Sequence, residues 1–231
     1  RGQGLDVTIF FYNPNIHPLE EYEMRKNENK RYADELGIPF VDADYDTEEW
    51  FRRAKGMELC PERGQRCSMC FDMRFERTAL YAAEHGFGTI TTTNATSRWK
   101  DADQVNESGI KAAAKYPGVG WWIYDWQTEA MSQRKYRINA DLQFYKQEYC
   151  GCSYSLRDVN MYRKKEGLAP VVVGGETYYS DPVKDSEEES VERVAQFFAD
   201  TNSAEEEEKR RLREMYRERR KNHRQQEGNN W

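Results

Sequence analysis

The hydrophobic positions of the first sixty residues alternate between short apolar runs and segments of helical spacing. Residues 7–11 (VTIFF) form an apolar run that ends at an Asn-Pro-Asn break, which predicts a buried strand. Residues 18–36 carry apolar side chains at helical spacing before Gly37, a residue suited to a left-handed cap. A second strand is predicted in IPFVDA, followed by a helix over 47–57 with Asp46 as its cap.

The same alternation continues through the middle of the chain. A helix that begins with two cysteines is predicted to end at Gly86. A Thr-rich strand (89–94), a helix (102–115) and an aromatic strand (121–124) follow it. Alternating strands and helices predict an α/β fold, in which helices cover both faces of a parallel sheet and functional groups lie at the carboxyl ends of the strands.

The pattern weakens after residue 152. A short helix is predicted near 158–165, and the string VVVGGETYY resembles a small hairpin. We therefore predict a metal-binding α/β domain over 1–165, a hairpin-like appendage over 166–184, and a charged tail over 185–231 that is helical or disordered. The basic half of that tail could instead contact RNA phosphates.

Composition changes this picture in two ways. The chain carries a formal net charge of -6, which argues against indiscriminate binding to nucleic acid, so any RNA contact has to be local. No apolar run approaches the roughly 20 residues that span a bilayer, and no signal-like segment opens the sequence. We expect a soluble, cytoplasmic protein without membrane contact, although a missing amino terminus leaves organelle targeting open.

Four of the five cysteines lie in two close pairs. Cys67 and Cys70 fall within one turn of a predicted helix start, where both sulfurs can face one metal and the helix dipole lowers their pKa. Cys150 and Cys152 flank a single glycine, which lets the backbone bend around a ligand. Four thiolates suit structural zinc or an iron-sulfur cluster, and Cys-x-x-Cys also suits a redox disulfide. Cys60 stands apart and has no predicted role.

Four strings of the sequence carry a family resemblance. They are TIFFYNPNIHPLEEYEMR (8–25), RCSMCFDMR (66–74), TTTN (91–94) and YCGCSYSL (149–156). In this order they are similar to the QueH family of epoxyqueuosine reductases, over about residues 7–160. The resemblance implies an adenine-nucleotide-hydrolase-like, PP-loop-related architecture that holds metal instead of ATP. The chain agrees with that adaptation, since no Gly-rich phosphate loop follows a strand.

The resemblance also implies the chemistry. Such enzymes are oxidoreductases of tRNA processing that convert epoxyqueuosine to queuosine in a tRNA anticodon loop, with iron-sulfur chemistry and without cobalamin. It implies Cys67, Cys70, Cys150 and Cys152 as ligands of a 4Fe-4S cluster, and leaves open a second mononuclear iron and the identity of the electron donor. The family's leading Cys-Cys strand has no counterpart here. The chain is therefore expected to be amino-terminally truncated and inactive or weakly active alone.

Four further residues are candidates for the site. Asp72 could ligate iron or protonate the departing oxygen, or it could be a surface residue that complements the helix dipole. Arg74 could orient a phosphate or sulfur-bound charge, and a surface ion pair is the alternative. Tyr12 and Asn13 end the first strand, within a string shared with the family, and are predicted to contact substrate. An ordinary turn also explains Asn13.

Two basic clusters could contact the RNA. Single-stranded loops are bound through splayed bases, aromatic stacking and basic contacts to phosphate. The candidates are Arg98, Trp99 and Lys100 after the Thr-rich strand, and Arg134, Lys135 and Arg137 before the second cysteine pair. A solvated surface is the alternative explanation for each.

Two other functions compete with the reductase. A noncatalytic RNA-binding module stabilised by zinc predicts a colourless protein with one zinc ion per chain. A thiol-disulfide reductase using Cys67 and Cys70 ranks third, because thioredoxin-like motifs closely follow a strand whereas these cysteines follow a long polar loop.

Overall fold

The computed structural model describes residues 5–97, 99–174 and 178. The first half contains two strands that alternate with two helices. These elements are β1 (Ile9–Phe11), α1 (Leu19–Leu36), β2 (Phe40–Asp42) and α2 (Thr47–Ala54). The second half continues the alternation and then ends in two helices. Its elements are α3 (Gln65–Glu84), β3 (Thr89–Ile90), a 3-10 helix (Asn94–Thr96), α4 (Ala102–Ala113), β4 (Gly120–Trp121), α5 (Glu129–Asp141) and α6 (Ser153–Lys165).

The strands form two parallel pairs. β1 pairs with β2, and β3 pairs with β4, so the α/β class and the parallel direction are confirmed. The single continuous sheet that we predicted is wrong for the described residues. β3 is also shorter than the predicted strand at 89–94, since just past its end the Thr91 hydroxyl donates to the Trp122 carbonyl at 3.1 Å. A side-chain hydrogen bond at this position competes with the backbone ladder and ends the strand.

Helix α3 contributes to both of the larger hydrophobic clusters. One face of it supplies Phe71 and Phe75 to a cluster that includes Ile90 of β3 and residues of α4. Cys70 and Met73 join a second cluster with side chains from β1, α2 and the start of α6. The first residues of α3 therefore lie where α3 packs against β1, α2 and α6, which places Cys67 and Cys70 inside the fold.

Several helix ends agree with the sequence and others do not. α1 ends at Gly37, whose φ of 60° is the left-handed cap that was predicted. α2 ends at Ala54, before the predicted residue 57, and Asp46 does not cap it with its side chain. The Asp46 carboxylate instead accepts a hydrogen bond of 2.8 Å from the Tyr12 hydroxyl. The Asp46 side chain thus pairs with Tyr12, which is distant in sequence, and not with the first backbone N–H groups of α2.

The region after β4 differs most from the prediction. Helix α5 was not predicted, because its sequence has few apolar residues to mark a buried stripe. α6 begins at Ser153, earlier than expected, with Cys152 as its cap. The predicted strand at 121–124 is shorter, and residues 171–174 form no strand. The rest of the predicted hairpin, apart from Tyr178, and the tail at 185–231 lie outside the described residues.

None of the helices that the structure describes is both long and apolar enough to span a bilayer.

Candidate metal centre

The starts of two helices bring the four paired cysteines into one region. Cys67 and Cys70 lie in the first two turns of α3, whereas Cys150 and Cys152 immediately precede α6. Cys70, Cys150 and Cys152 pack in the same cluster, and the Cys67 thiol interacts electrostatically with Cys70 and Cys150. All are free thiols. The structure thus brings together the four predicted ligands.

Gly151 lets the second pair approach the loop after β1. Its φ of 109° lies in the region that favours glycine. A Cβ there would lie 2.9 Å from Cγ1 of Ile16 and 3.0 Å from Nη1 of Arg25. The Gly151 carbonyl also accepts a hydrogen bond of 2.8 Å from the backbone N–H of His17. No larger residue fits this position without displacing its neighbours.

Arg25 of α1 holds the loop that carries the second pair. The side chain is buried, and it donates to the carbonyls of Tyr149 at 3.0 Å and Cys150 at 3.2 Å. Its Nε donates to the fully buried Glu21 carboxylate at 2.8 Å, which also accepts from the Tyr145 hydroxyl at 2.8 Å. This network fixes the position of Cys150 from a helix more than a hundred residues earlier in the chain.

The second cysteine pair favours one thiolate. A hydrogen bond from Cys152 lowers the pKa of Cys150 well below its usual range, and the charge of Lys100 lowers it further. The same hydrogen bond, together with burial, raises the pKa of Cys152. The sulfur of Cys152 accepts a hydrogen bond of 3.3 Å from the Ser155 N–H and so caps α6. One negative charge is thus stabilised on the pair.

The first cysteine pair behaves in the opposite way. Burial raises the pKa of Cys67 to about 11 and raises the pKa of Cys70. The prediction that the helix dipole lowers both values is therefore wrong, because burial outweighs the dipole. The nearby charge of Arg74 and the N–H of Trp50 act in the lowering direction on the pKa of Cys70 without reversing the shift. These two thiols remain protonated at neutral pH.

Two charged side chains complete the region. Burial tends to lower the pKa of Lys100, but the charges of Cys150, Glu62 and Cys67 together raise it. Burial and the charge of Cys150 raise the pKa of Glu62, whose carboxylate accepts a hydrogen bond from the Ser155 hydroxyl. Lys100, which was predicted to contact RNA, lies near the cysteines. A cation there offsets the negative charge of thiolates.

The side chains present fit a thiolate-bound metal in their chemistry. The indole nitrogen of Trp50, which packs in the cluster with Cys70, is buried without a hydrogen-bonded N or O partner among the described residues. An N–H in that position suits a metal-bound sulfur. In the part of the chain that is described, no three Cys, His, Asp or Glu side chains are arranged to hold a metal ion. The thiols therefore have to rotate before they can share one.

Tyr12, Asn13 and Arg74 lie together beside the cysteines. Tyr12 is buried, and burial together with Asp46 raises its pKa. Nη2 of Arg74 donates to the side-chain oxygen of Asn13, and Nε of Arg74 lies 3.4 Å from the Tyr12 carbonyl. Arg74 is thus engaged within the protein, at the carboxyl end of β1. Whether Tyr12 and Asn13 contact substrate stays a prediction.

Asp72 lies apart from this group. Its carboxylate forms an ion pair of 2.9 Å with Lys111 of α4, and its side chain is one-third exposed. Two residues along an α-helix point in directions about 200° apart, so Asp72 and the buried Cys70 occupy opposite sides of α3. The structure gives Asp72 an interhelical ion pair and provides no contact that supports a catalytic role.

The first predicted RNA-contact cluster is only partly described. Arg98 lies outside the described residues. Trp99 is partly buried, and its carbonyl accepts a hydrogen bond of 3.1 Å from Nε of Arg63. These contacts tie the segment to the protein, and its contact with RNA stays a prediction.

The second cluster lies on α5 and remains accessible. Arg134 and Arg137 are exposed, and their spacing of three places them on one helix face. Lys135 is partly buried, with its ammonium 3.0 Å from the Thr96 carbonyl. Arg134 and Arg137 are therefore accessible to a phosphate, and contact with RNA stays a prediction for this cluster.

Several important residues were missed in the sequence. Glu62 stands in a polar loop, so nothing in its surroundings along the chain indicates burial. Arg25 and Glu21 could have been found, because their i,i+4 spacing falls in a string shared with the family. Gln127 holds the Lys100 segment, since its amide lies 3.2 Å from the carbonyl of Lys100 and 3.2 Å from that of Ala95.

Fold and site define an α/β protein in which two helix starts bring four cysteines together near the partly buried Lys100. A family model described as "Epoxyqueuosine reductase QueH" matches residues 1–158. The chain belongs to this family, which confirms the resemblance found in the sequence.

The relatives of this chain include three bacterial proteins that are named epoxyqueuosine reductase QueH. The Haemophilus influenzae protein is 56% identical over 177 residues, which cover 77% of this chain and 72% of the relative. The Acinetobacter baylyi protein is 53% identical over 180 residues, which cover 78% of this chain and 83% of the relative. The Helicobacter pylori protein is 37% identical over 161 residues, which cover 67% of this chain and 43% of the relative.

Proposed function

We propose that this protein is a cobalamin-independent oxidoreductase of queuosine biosynthesis that reduces epoxyqueuosine to queuosine in the anticodon loop of tRNA. Family membership and the names of its relatives support this activity. Conversion of the epoxide to the alkene consumes two electrons and two protons and releases the oxygen as water. The electrons come from an external donor. The observation that carries the proposal is the meeting of two cysteine pairs in one buried region.

The proposed cofactor is a 4Fe-4S cluster, with room in the proposal for a second mononuclear iron; Cys67, Cys70, Cys150 and Cys152 would supply the thiolate ligands. When bound, these groups supply single electrons and a Lewis-acidic iron. The donor chemistry supports the assignment, since all four candidates are free thiols and the hydrogen bond from Cys152 lowers the pKa of Cys150. The buried N–H of Trp50 is also suited to a sulfur acceptor.

The chain's own residues prepare the site for such a group. Lys100 places a positive charge among the thiols, which favours their ionised, ligating form. Arg25 fixes the backbone at Cys150, so one pair has a defined position before any ligand binds. Burial around Cys70 and Cys152 excludes water from the reacting region. Metal binding is therefore expected to need rotation of side chains with little change of the backbone.

The proposed RNA partner is the single-stranded anticodon loop of tRNA. The net charge of the whole chain is negative, so contact depends on local basic groups. Arg134 and Arg137 of α5 supply two exposed guanidinium groups on one face. Substituting either arginine is expected to reduce the salt dependence of RNA binding without changing the preference for a modified base.

Metal analysis combined with turnover tests the proposal. The full-length protein, prepared without oxygen, is expected to contain iron and sulfide and, with dithionite as electron donor, to form queuosine detectable by nucleoside mass spectrometry. Cys67→Ser and Cys150→Ser should each remove most iron and turnover, because each deletes a thiolate. Cys60→Ser is the matched control and should leave both unchanged.

Two outcomes would reject the proposal. A colourless protein that holds one zinc ion, binds tRNA and never converts the base would be an RNA-binding module. Equal iron content in the Cys60 and Cys150 variants would show that Cys150 is not a ligand, and the assigned ligand set would be rejected.

A further inference from the structure

The side-chain nitrogen of Asn94 has no hydrogen-bond partner among the described residues, and it lies in the segment that follows β3. Arg74 of α3 donates to the side-chain oxygen of Asn13, and its Nη2 lies 3.4 Å from Oδ1 of Asn94. We call Asn13, Arg74 and Asn94 the Arg74 clasp. It joins the segment that follows β1 to the segment that follows β3, where α/β proteins bind their ligands.

The clasp fixes which atoms of the two amides face outward from it. A guanidinium group has hydrogen-bond donors and no acceptor, so both asparagines must turn their oxygens toward Arg74. Their NH2 groups consequently point away from it. The Nδ2 of Asn94 is buried and has no hydrogen-bond partner among the described residues. A buried donor without a partner destabilises the fold, which makes it a feature that a ligand can satisfy.

Local structure keeps the Asn94 side chain from turning its NH2 group toward another partner. Its backbone N–H lies 3.2 Å from the Thr92 hydroxyl oxygen, and it begins the 3-10 helix Asn94–Thr96. Rotating the amide by half a turn would present its NH2 group to the donors of Arg74, which is unfavourable. The backbone and the Arg74 clasp together therefore hold Nδ2 of Asn94, the donor without a partner, in position.

The clasp borders the cysteine region. The charge of Arg74 acts on the Cys70 thiol, and Tyr12, whose carbonyl lies 3.4 Å from Nε of Arg74, packs in the same cluster as Cys70 and Cys152. An acceptor that meets Asn94 would thus lie close to the proposed redox group.

We propose that Nδ2 of Asn94 donates a hydrogen bond to the epoxide oxygen of the substrate. This inference rests on the proposed function and names a specificity-determining residue for it. An epoxide oxygen can only accept hydrogen bonds, and an amide NH2 group can only donate them. The alkene product lacks that oxygen, so Asn94 distinguishes substrate from product. A site built to hydrogen-bond a substrate group discriminates against an analogue that lacks it.

The test measures binding without turnover. Full-length protein, kept without reductant, is titrated with anticodon stem-loop RNA that carries either epoxyqueuosine or queuosine. The unmodified protein is expected to bind the epoxide RNA about tenfold more tightly, as one hydrogen bond of about 1.4 kcal/mol would produce. Asn94→Asp keeps an oxygen for Arg74 and loses the NH2 group, so this preference should disappear.

Asn160→Asp is the matched control. The side-chain oxygen of Asn160 accepts a hydrogen bond of 2.8 Å from the Val171 N–H, so an aspartate also serves there, and the change of charge is the same. This variant should keep the tenfold preference. Asn94→Ala is a second test, since it removes the donor without adding charge. With reductant present, the Asn94 variants should raise KM for the epoxide RNA more than they lower kcat.

The outcomes separate this inference from the proposed function. A folded Asn94→Asp or Asn94→Ala variant that keeps the preference would overturn the inference, as would an unmodified protein that converts the substrate but binds both RNAs equally. Failure of the unmodified protein to convert epoxyqueuosine would instead reject the function.

Discussion

The two cysteine pairs occupy helix starts of different character. Cys67 and Cys70 lie within α3, whereas Cys150 and Cys152 immediately precede α6. Burial raises the pKa of both thiols in the first pair, while a hydrogen bond from Cys152 lowers the pKa of Cys150 in the second. Both pairs contain one buried and one partly buried cysteine, so the hydrogen bond from a neighbouring thiol, and not a difference in burial, determines which thiol ionises.

The pairs also differ in how they are held. α3 is a long helix packed on both sides, so many contacts place its cysteines. The second pair depends on a few specific groups, chiefly Arg25, Gly151 and Ser155. Single substitutions should therefore disturb the second pair more than the first, and the following predictions test that difference.

The largest effect is expected for Arg25→Met. Removing this buried guanidinium leaves the fully buried Glu21 carboxylate without its ion pair and two carbonyls without donors. Breaking a buried pair in this way costs about 3–5 kcal/mol of unfolding free energy. Urea denaturation measures it. Arg52→Met, which removes an exposed pair with Glu49, should change stability little. Equal losses in the two variants would mean that the buried network is not important.

Gly151→Ala should have the next largest effect. A left-handed φ costs a non-glycine residue about 1–2 kcal/mol, and overpacking against Ile16 and Arg25 adds about 1–3 kcal/mol. Gly167→Ala isolates the first contribution, because Gly167 has a φ of 72° and no atoms within 4 Å of its missing Cβ. Thermal unfolding should therefore show a greater loss for Gly151→Ala, and iron content should fall in that variant alone.

The pH dependence of the metal-free protein separates the pairs. The pKa of Cys67 is raised from 9.0 to about 11, so the unfolded chain releases this proton first. Stability should consequently decrease as pH rises from 9 to 11, by about 2 kcal/mol from this group. Cys67→Ala should flatten this slope, with Cys60→Ala as the control.

Thiolate absorbance at neutral pH should be lost in Cys150→Ser and retained in Cys67→Ser.

The smallest effect is expected for Ser155→Ala. The Ser155 hydroxyl donates to Glu62 and lies 3.4 Å from the Cys150 N–H, which it can accept. Losing it should cost about 1 kcal/mol. Ser153→Ala, two residues earlier, removes a hydroxyl that has no hydrogen-bond partner among the described residues. Its unfolding midpoint should stay near that of the unmodified protein, and a larger loss in Ser153→Ala would contradict the role assigned to Ser155.

Local features could be predicted from the sequence alone. The alternation of strands and helices indicated an α/β fold, and Gly37 marked the end of α1. The cysteine pairs and the strings around them indicated the family, because such motifs are continuous along the chain. Helix α5 escaped prediction since few of its residues are apolar, and hydrophobic periodicity is the main signal available from one sequence.

Tertiary structure decided which charged and polar groups are buried. Arg25 meets Tyr149 across 124 residues, and Lys100 lies among thiols from two helices. Charged residues make up a third of the chain, and nothing in the sequence around Lys100 distinguishes it from the exposed ones. The same applies to Asp72, which pairs with another helix. A side chain's charge state and partners depend on what surrounds it in space, and sequence spacing records only its neighbours along one element.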